Sequence, residues 1–245
     1  MTTNDTLAVL HVHSNWSHDG HDSLSDLAAF ANRERLRWVF LTDHAEDFTA
    51  ARFQEYSAAC RAASARETEL IPGLEFRFEG YPGLHLLAIG LRHWIDPQTP
   101  EEFCRDGAIH AEFLVMAHPL LAKYRVPEAV LSRLHAVEVW NAQYNTRYVP
   151  DGQAIKLWQG ARARWPHLVA SAGTDQHRLR VEGKLRLAFF AVDSPFAALR
   201  SGHYRNLGIT YSFDATKEWS RFELGVLARL RALVQTMKRW QRRLQ

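Results

Sequence analysis

The chain has few of the residues that build disulfide or thiolate frameworks. Its 245 residues include two cysteines, Cys60 and Cys104, which are far apart and form no C-x-x-C pair. This spacing supports neither a zinc-thiolate site nor a disulfide framework, so we expect two reduced thiols packed in helices. No G-x-S-x-G motif occurs, and neither cysteine has the context of a catalytic nucleophile.

Long apolar segments are also missing. No apolar run approaches the roughly 18 residues that span a bilayer, so we expect no stable membrane insertion. The first residues include Asp5 and no basic run ahead of an apolar stretch, which predicts no signal peptide and a cytoplasmic protein. A chain this long can bury a full core without disulfides or metal. Any bound metal is therefore expected to serve chemistry rather than folding.

The net charge of +3 is unevenly distributed. Residues 216–245 contain eight Lys or Arg and two Glu, whereas the other residues contain 22 basic and 25 acidic side chains. The body is thus slightly acidic, and the basic character belongs to the last 30 residues. We divide the chain into a catalytic unit over residues 1–215 and a C-terminal extension of the same domain over residues 216–245.

Short apolar runs alternate with helical patterns along the chain. Continuous apolar strands of this kind favour a buried, mostly parallel sheet in a single α/β domain, and an α/β barrel commonly has this length. The predicted strands are Leu7–His13, Trp38–Thr42, Leu70–Phe76, Leu84–Leu91, Glu112–Ala117, Ala136–Trp140, His167–Ala172 and Leu187–Val192, and the clearest helices are Ser23–Leu36 and Phe48–Thr68.

Metal-binding residue types lie at the ends of six of these apolar runs. An H-x-H pair on a strand places both imidazoles on one face, because side chains in a strand repeat with a period of two. In α/β folds the carboxyl ends of the strands meet at one edge, so we expect a single site. The candidate ligands are His11, His13, Asp19, His44, Glu75, His85, His118, Asp175 and His177.

A lone H-x-H pair is more often a packed or surface feature than a metal site. Six such signals at separate strand ends are hard to explain by packing, since buried carboxylates and histidines without partners are costly. Imidazole and carboxylate ligands without thiolates favour Zn, Mn or Fe in a catalytic site. Two or three divalent metal ions are therefore the expected cofactors.

The sequence resembles the PHP family, named for polymerase and histidinol phosphatase. The motifs HVHSNWSHDG, LTDH, IPGLE, AHP, EVWN and GTDQH occur in the family's order between His11 and about Tyr204. The resemblance implies a distorted (β/α)7 TIM-like barrel whose site usually holds three metals. The C-terminal amphipathic helix would be an addition to that barrel.

The resemblance also implies how the ligands group. His11, His13, Glu75 and Asp175 would hold one metal, and Asp19, His44 and His177 would hold a second. Glu75 would bridge to a third metal completed by His118 and His85. His18 is an alternative to its neighbour Asp19, although the Asp-Gly pair at this point fits the family better.

The expected reaction is hydrolysis of a phosphate ester, a monoester or a diester, with a metal-bound hydroxide as nucleophile. No protein nucleophile is then required. Arginines near the ligands would bind phosphate, because the guanidinium fork matches phosphate oxygens. Arg178 is the first choice, Arg77 is a second, and Asn141 ends the E-V-W-N strand at the expected mouth of the site. The expected substrate is a small phosphorylated molecule or a nucleotide.

Three other functions stay open. A nuclease or nucleotide-processing enzyme would use the same chemistry with a nucleic acid as partner. A metal amidohydrolase acting on an amide or lactone also begins with H-x-H, but that class commonly has a bridging carbamylated lysine, and Glu75 fills the bridging position here. A degenerate, non-catalytic module is disfavoured because every expected ligand is present.

The C-terminal extension predicts one long amphipathic helix over residues 216–245. An apolar stripe at spacings of three and four lies opposite a basic face. We expect the stripe to pack on the protein's own body, with two alternatives, a homodimer seam or an anionic partner attracted by the basic face. The protein would thus be a monomer or a homodimer. The stripe consists of Trp219, Phe222, Val226, Leu230, Leu233, Met237, Trp240 and Leu244.

Overall fold

The computed structural model describes residues 5–144, 148–179, 184–190, 192 and 194–243, without the side chains of residues 235 and 237–243. Seven of the eight predicted strands are present within one or two residues of their expected ends, because short runs of buried β-branched and aromatic residues favour extended backbone. The predicted strand Leu70–Phe76 is instead divided at Pro72 into two short strands that belong to different sheets. The strands are β1 Asp5–Val12, β2 Leu36–Leu41, β3 Asp43–His44, β4 Glu69–Ile71, β5 Gly73–Arg77, β6 His85–Ile89, β7 Phe113–Ala117, β8 Ala136–Asn141, β9 Val169–Gly173, β10 Arg186–Phe190, β11 Tyr204–Leu207 and β12 Ser212–Asp214.

The described residues contain seven α-helices, of which the first six lie between strands and the last follows the final strand. Most of them begin at a side chain that accepts a hydrogen bond from the first turn, as in α1, where Ser23 accepts from the amide of Asp26. The second predicted helix, Phe48–Thr68, is shorter at both ends and covers Ala50–Ala63, and a short 3-10 turn at Ala45–Asp47 precedes it. The helices are α1 Leu24–Arg33, α2 Ala50–Ala63, α3 Pro100–His110, α4 Glu128–Leu131, α5 Gly152–Arg162, α6 Pro195–Ser201 and α7 Arg221–Arg243.

The strands form two six-stranded sheets, in the orders β12-β11-β10-β1-β2-β4 and β3-β5-β6-β7-β8-β9. The expectation of a mostly parallel sheet is wrong, since five of the ten strand pairs are antiparallel. Direct connections without a helix reverse the chain after β5 and after β11, and β10 pairs antiparallel with β11 although α6 lies between them. The mixed α/β class is nevertheless confirmed.

The two sheets meet along one line at β1. Thr174, just after β9, donates its amide hydrogen to the carbonyl of Leu10 at 2.8 Å, and the amide of His13 donates to the carbonyl of Gln176 at 2.9 Å. Side chains from both sheets, including Leu10, Phe40 and Val115, form a buried apolar cluster. The described contacts do not by themselves close the sheets into a barrel. They bring the ends of β1, β2, β5 and β9 to one edge.

Both cysteines are buried and free, as expected. Cys60 lies in α2 and Cys104 in α3, where burial raises the pKa of the Cys104 thiol to about 12. Neither thiol lies in the ligand cluster described below. Among the described residues, no helix has the length and apolar character needed to cross a bilayer.

The C-terminal helix packs with a different face from the one predicted. Phe222 is 80% exposed and Leu233 is 58% exposed, whereas Leu227 is buried. Arg231, which helix periodicity assigns to the basic face, instead turns inward and places its Nη1 atom 2.5 Å from Asp151 Oδ1. The face of the helix that contains Leu227 and Arg231 therefore contacts the rest of the protein. Of the predicted stripe, Met237, Trp240 and Leu244 lie outside the described side chains.

Trp219 belongs to the body rather than to the helix, which begins two residues later. Its ring is buried against Phe213 and Trp158, with ring centroids 5.0 and 5.8 Å away. Its indole nitrogen donates to the hydroxyl of Tyr211 at 3.0 Å. The chain is thus anchored immediately before α7.

Candidate metal centre

The end of β1 carries two buried histidines into the site. His11 and His13 have their ring centroids 5.3 Å apart, so both rings face the same space, as the H-x-H spacing predicted. The pairing of β1 with β2 shifts register between Leu10 and Val12, and His11 has a φ of 67° in the left-handed region. A bulge at the end of the strand therefore adjusts the direction of the first histidine.

Glu75, on β5, lies at the centre of the cluster. Its Oε1 atom is 2.6 Å from His85 Nδ1 and 3.1 Å from His118 Nε2. Its Oε2 atom lies between 3.4 and 3.5 Å from nitrogens of three further histidines. One carboxylate thus contacts histidines from β1, β3, β6 and the end of β7. These five histidines are His11, His13, His44, His85 and His118.

His85 reaches the site from the start of its strand rather than from the end. The prediction that all ligand candidates sit at carboxyl ends is wrong for this residue. Because β6 runs antiparallel to β5, its first residue lies beside the last residues of β5, and His85 pairs with Arg77 in the ladder. The reversed strand therefore brings His85 to the common edge.

Two aspartates complete the cluster. Asp19 Oδ2 lies 3.1 Å from His44 Nε2 and 3.2 Å from His177 Nε2. Asp175 Oδ1 lies 3.5 Å from His11 Nε2 and 3.4 Å from His13 Nε2. All nine side chains named from the sequence are therefore gathered in one place, although their grouping around individual metals stays a prediction.

The neighbour of Asp19 takes a different position. His18 is half exposed, and its Nδ1 atom is 2.8 Å from Asp47 Oδ2. Its ring stacks near that of His44 at a centroid distance of 5.3 Å. Asp19, and not His18, therefore joins the set of close ligand atoms.

The carboxylates of the cluster are held ionised. Although burial alone would raise the pKa of Glu75, hydrogen bonds from His11 and His118 hold that pKa well below its ordinary value. Burial likewise opposes ionisation of Asp175, but His11 and His13 hold its pKa below the usual range. Asp19 has a lowered pKa as well, because His44 and His177 outweigh the effect of burial.

The histidines divide into two classes. Burial lowers the pKa of His44 to about 4, and His13 adds to the effect, so the His44 ring is neutral at pH 7. Burial also lowers the pKa of His177. Burial acts in the same direction on His11, but Asp175 and Glu138 raise its pKa well above the ordinary value. A proton on such a ring would be released when a metal binds.

The donor set fits divalent metals. Several buried ring nitrogens have no hydrogen-bond partner, namely His11 Nε2, His118 Nδ1 and both nitrogens of His13. Buried polar atoms without partners are rare in folded proteins and call for an explanation. Three groups of side chains could each hold a metal, because the ligand atoms within each group lie within 4.8 Å of one another. The groups are His13, Asp19, His44 and His177; His11, Glu75 and His118; and His11, His13 and Asp175.

The three predicted substrate contacts lie in different surroundings. Arg77 places its Nη2 atom 3.0 Å from His44 Nε2 and its Nη1 atom 3.3 Å from Glu46. Arg178 is exposed and lines a depression with His21 and Asp22. Asn141 is buried at the end of β8. Its side-chain amide donates to Glu138 Oε2 and accepts a hydrogen bond from the backbone amide of Gln143.

Residues outside the nine-residue ligand set position the ligands. Asp43 precedes His44 on a strand, so its side chain is expected to point the other way and to support the site rather than to bind a metal. Asp43 accepts hydrogen bonds from the amide and hydroxyl of Ser14 and from the hydroxyl of Ser17, which holds the loop between His13 and Asp19. Glu138, in contrast, was not predicted from the sequence. Its signal was a single acidic residue inside the apolar run of β8.

The comparisons with known proteins agree with this site. The family model described as PHP domain matches residues 10–151, more than half of the chain. This chain is a member of the PHP family. The resemblance drawn from the motifs is therefore confirmed. Family membership and the buried cluster of imidazoles and carboxylates together support a metal-dependent hydrolase.

Solved structures resemble this PHP protein at low sequence identity. A provisionally named metal-dependent phosphoesterase from Bifidobacterium adolescentis matches with a TM-score of 0.51 and 15% identity, covering 70% of this chain and 87% of the other. That likeness supports the fold alone. An amidohydrolase from Chromobacterium violaceum with bound sulfate has a TM-score of 0.44 and 16% identity, over 72% of this chain and 89% of its own. A comparison with curated proteins gave no match.

Proposed function

We propose that this PHP protein hydrolyses phosphate esters of small molecules or nucleotides, with two or three divalent metals held by the nine-residue cluster. The observation that carries the proposal is the central position of Glu75 among five histidines, next to buried ring nitrogens without partners. Zn, Mn and Fe suit these nitrogen and oxygen ligands. Such metals, when bound, lower the pKa of a coordinated water towards ~7 and neutralise charge on phosphate oxygens.

The cluster is open on one side. His11, His13, Glu75 and Asp175 are buried, whereas the side chains of Asp19 and His177 are 36% and 25% exposed. A substrate therefore approaches past Asp19 and His177. The four buried side chains form the floor of the site, so the chemistry would occur between this floor and the opening.

Arg77 lies at this opening and is the best-placed phosphate contact. Its side chain is 44% exposed, and one guanidinium nitrogen touches His44 while the other faces Glu46. A guanidinium can bind two oxygens of one phosphate in a fork. We assign Arg77 this role ahead of Arg178, for which the described contacts show no link to the cluster.

Tyr144 lies beside the cluster, next to His118. Its ring packs edge-on against His118 at a centroid distance of 4.9 Å, and the side chain is 41% exposed. Burial raises the pKa of its hydroxyl to about 12, with Asp175 and Glu75 adding to the effect. The hydroxyl therefore stays protonated at neutral pH and can donate to a substrate oxygen.

A substrate panel tests the reaction class. The metal-loaded protein is assayed with p-nitrophenyl phosphate, bis-p-nitrophenyl phosphate, a set of oligonucleotides, and a set of amides and lactones. We expect turnover of phosphate esters, and turnover of oligonucleotides would identify the nuclease variant. Hydrolysis of amides or lactones without any phosphate ester turnover would show an amidohydrolase instead, although none of the five lysines lies within a described strand.

Metal content is a separate expected result. We expect at least two transition metals per chain after gentle purification or after reloading with Mn²⁺ or Zn²⁺, because three groups of close ligand atoms are present. Elemental analysis by inductively coupled plasma mass spectrometry measures it. Fewer than one metal per chain after reloading would count against the whole assignment, whatever the substrate.

A further inference from the structure

Glu138 is a buried acidic residue in the middle of β8, between apolar neighbours, and it is fully shielded from solvent. A buried carboxylate is costly unless hydrogen bonds satisfy it. Its Oε1 atom lies 3.0 Å from His11 Nδ1. Its Oε2 atom accepts the amide hydrogen of His118 at 2.7 Å and an Nδ2 hydrogen of Asn141 at 2.8 Å. All these partners lie in or beside the ligand cluster.

The contact with His11 decides which nitrogen of that ring faces the cluster. A carboxylate accepts hydrogen, so Nδ1 of His11 carries the hydrogen and Nε2 presents its lone pair. His11 Nε2 has no hydrogen-bond partner and lies 3.5 Å from both Glu75 Oε2 and Asp175 Oδ1. Ligating histidines commonly donate their other ring nitrogen to a carboxylate in this way, which fixes the ring.

The same carboxylate supports unusual backbone at the ligands. His11, His118 and Asp175 have φ values of 67°, 23° and 51°, in the left-handed region that side chains other than glycine rarely adopt. Such conformations persist where the surroundings hold them. Glu138 contacts the ring of His11 and the amide of His118, and Asn141 extends the network to Asp175 Oδ2 at 3.4 Å.

The neighbouring strand leaves room for this carboxylate. Gly173, the last residue of β9, lies so close that a Cβ atom there would be 1.7 Å from Glu138 Oε1 and 2.9 Å from the Cβ atom of His11. No side chain can occupy that position without displacing the carboxylate. The glycine of the GTDQH motif thus has a packing reason that involves Glu138 directly.

We infer that Glu138 is a positioning residue of the metal centre, whose carboxylate fixes the His11 tautomer and holds the His118 backbone so that both ligands face the metals. The inference rests on the proposed metal site but not on the proposed phosphate ester substrate. Asn141, bonded to Glu138 and close to Asp175, belongs to the same support.

The variant Glu138→Gln tests the inference, because it keeps the shape and removes the two-sided acceptor. The Gln side chain has one acceptor oxygen and one NH₂ group. Its NH₂ group must therefore face either the His11 ring nitrogen or the His118 backbone amide, each of which needs an acceptor. Metal affinity is measured with Zn²⁺ alone, in competition with a chromophoric chelator. We expect affinity to fall by roughly 10- to 100-fold, as for other carboxylates behind ligating histidines. Glu112→Gln, beside Arg92 and Arg200 at the opposite end of β7, is the matched control with unchanged affinity.

The tautomer is read without any variant or substrate. Nitrogen-15 NMR of the imidazoles in the Zn²⁺-loaded wild-type protein is expected to show a hydrogen on Nδ1 of His11 and none on Nε2. In Glu138→Gln this preference is expected to weaken. Wild-type Zn²⁺ affinity in the variant, or an Nε2–H tautomer in the wild type, would overturn the inference. Both readouts stay valid if the enzyme proves to hydrolyse amides instead of phosphate esters.

Discussion

Alanine at His11, Glu75 or Asp175 is expected to lower hydrolysis of the best substrate by about 1,000-fold or more, while the protein stays folded. Each side chain is buried and contacts several other members of the cluster. Glu75 has the largest expected effect, since its carboxylate alone joins five histidines. The core consists of apolar side chains, so we expect the fold to survive without the metals.

Circular dichroism and steady-state turnover, measured on the same preparations, check this result. Glu69→Ala is a matched control, because Glu69 is exposed at the start of β4 and contributes nothing to the cluster. Near-wild-type turnover in any of the three variants would remove that residue from the site. Loss of the folded signal would instead show that the cluster supports the fold.

Removal of residues 216–245 is expected to lower the free energy of unfolding by about 3–5 kcal/mol or more, the usual cost of losing a buried tryptophan. Trp219 would leave a gap against Phe213 and Trp158. Asp151, which begins α5, would lose the contact of Arg231. The melting temperature should fall by roughly 10 °C. The metal ligands lie elsewhere, so metal content per folded chain should not change.

A shorter truncation separates packing from assembly. Removal of residues 235–245 keeps Trp219, Leu227 and Arg231, and we expect a change within about 0.5 kcal/mol. Light scattering on both truncated proteins reports the molar mass. Fewer chains per particle after the shorter truncation would place a contact between copies in the last eleven residues. An unchanged melting temperature after the longer truncation would contradict the packing described for α7.

The ligands could be predicted because their signal is local. Each ligand lies within a few residues of an apolar run. Side chains in a strand repeat with a period of two, and the ends of neighbouring strands meet at one edge, so these two rules were enough to predict that the ligands share one site. The order of the motifs along the chain also indicated the PHP family. His85 was named as the histidine on the apolar run after Glu75, but its route to the site through an antiparallel strand required the hairpin after β5.

The supporting role of Asp43 could be predicted from its place next to His44, but that of Glu138 could not. Glu138 and Gly173 are far apart in sequence, and only the pairing of β8 with β9 shows that the glycine makes room for the carboxylate. A single acidic residue in an apolar run indicates a buried partner without saying which one. The partner was decided by three-dimensional neighbours, His11 and the amide of His118.

The C-terminal helix shows the same division. By itself, the sequence determined that residues near the end form a helix with apolar and basic positions, because helix periodicity is a property of neighbouring residues. Only the tertiary structure decided which side of that helix meets the body. Leu227 and the Arg231–Asp151 pair face inward, and Phe222 stays exposed, because long-range contacts outweigh the apparent stripe. Local patterns therefore determined the elements and the metal ligands, and packing between distant segments decided how those ligands are held.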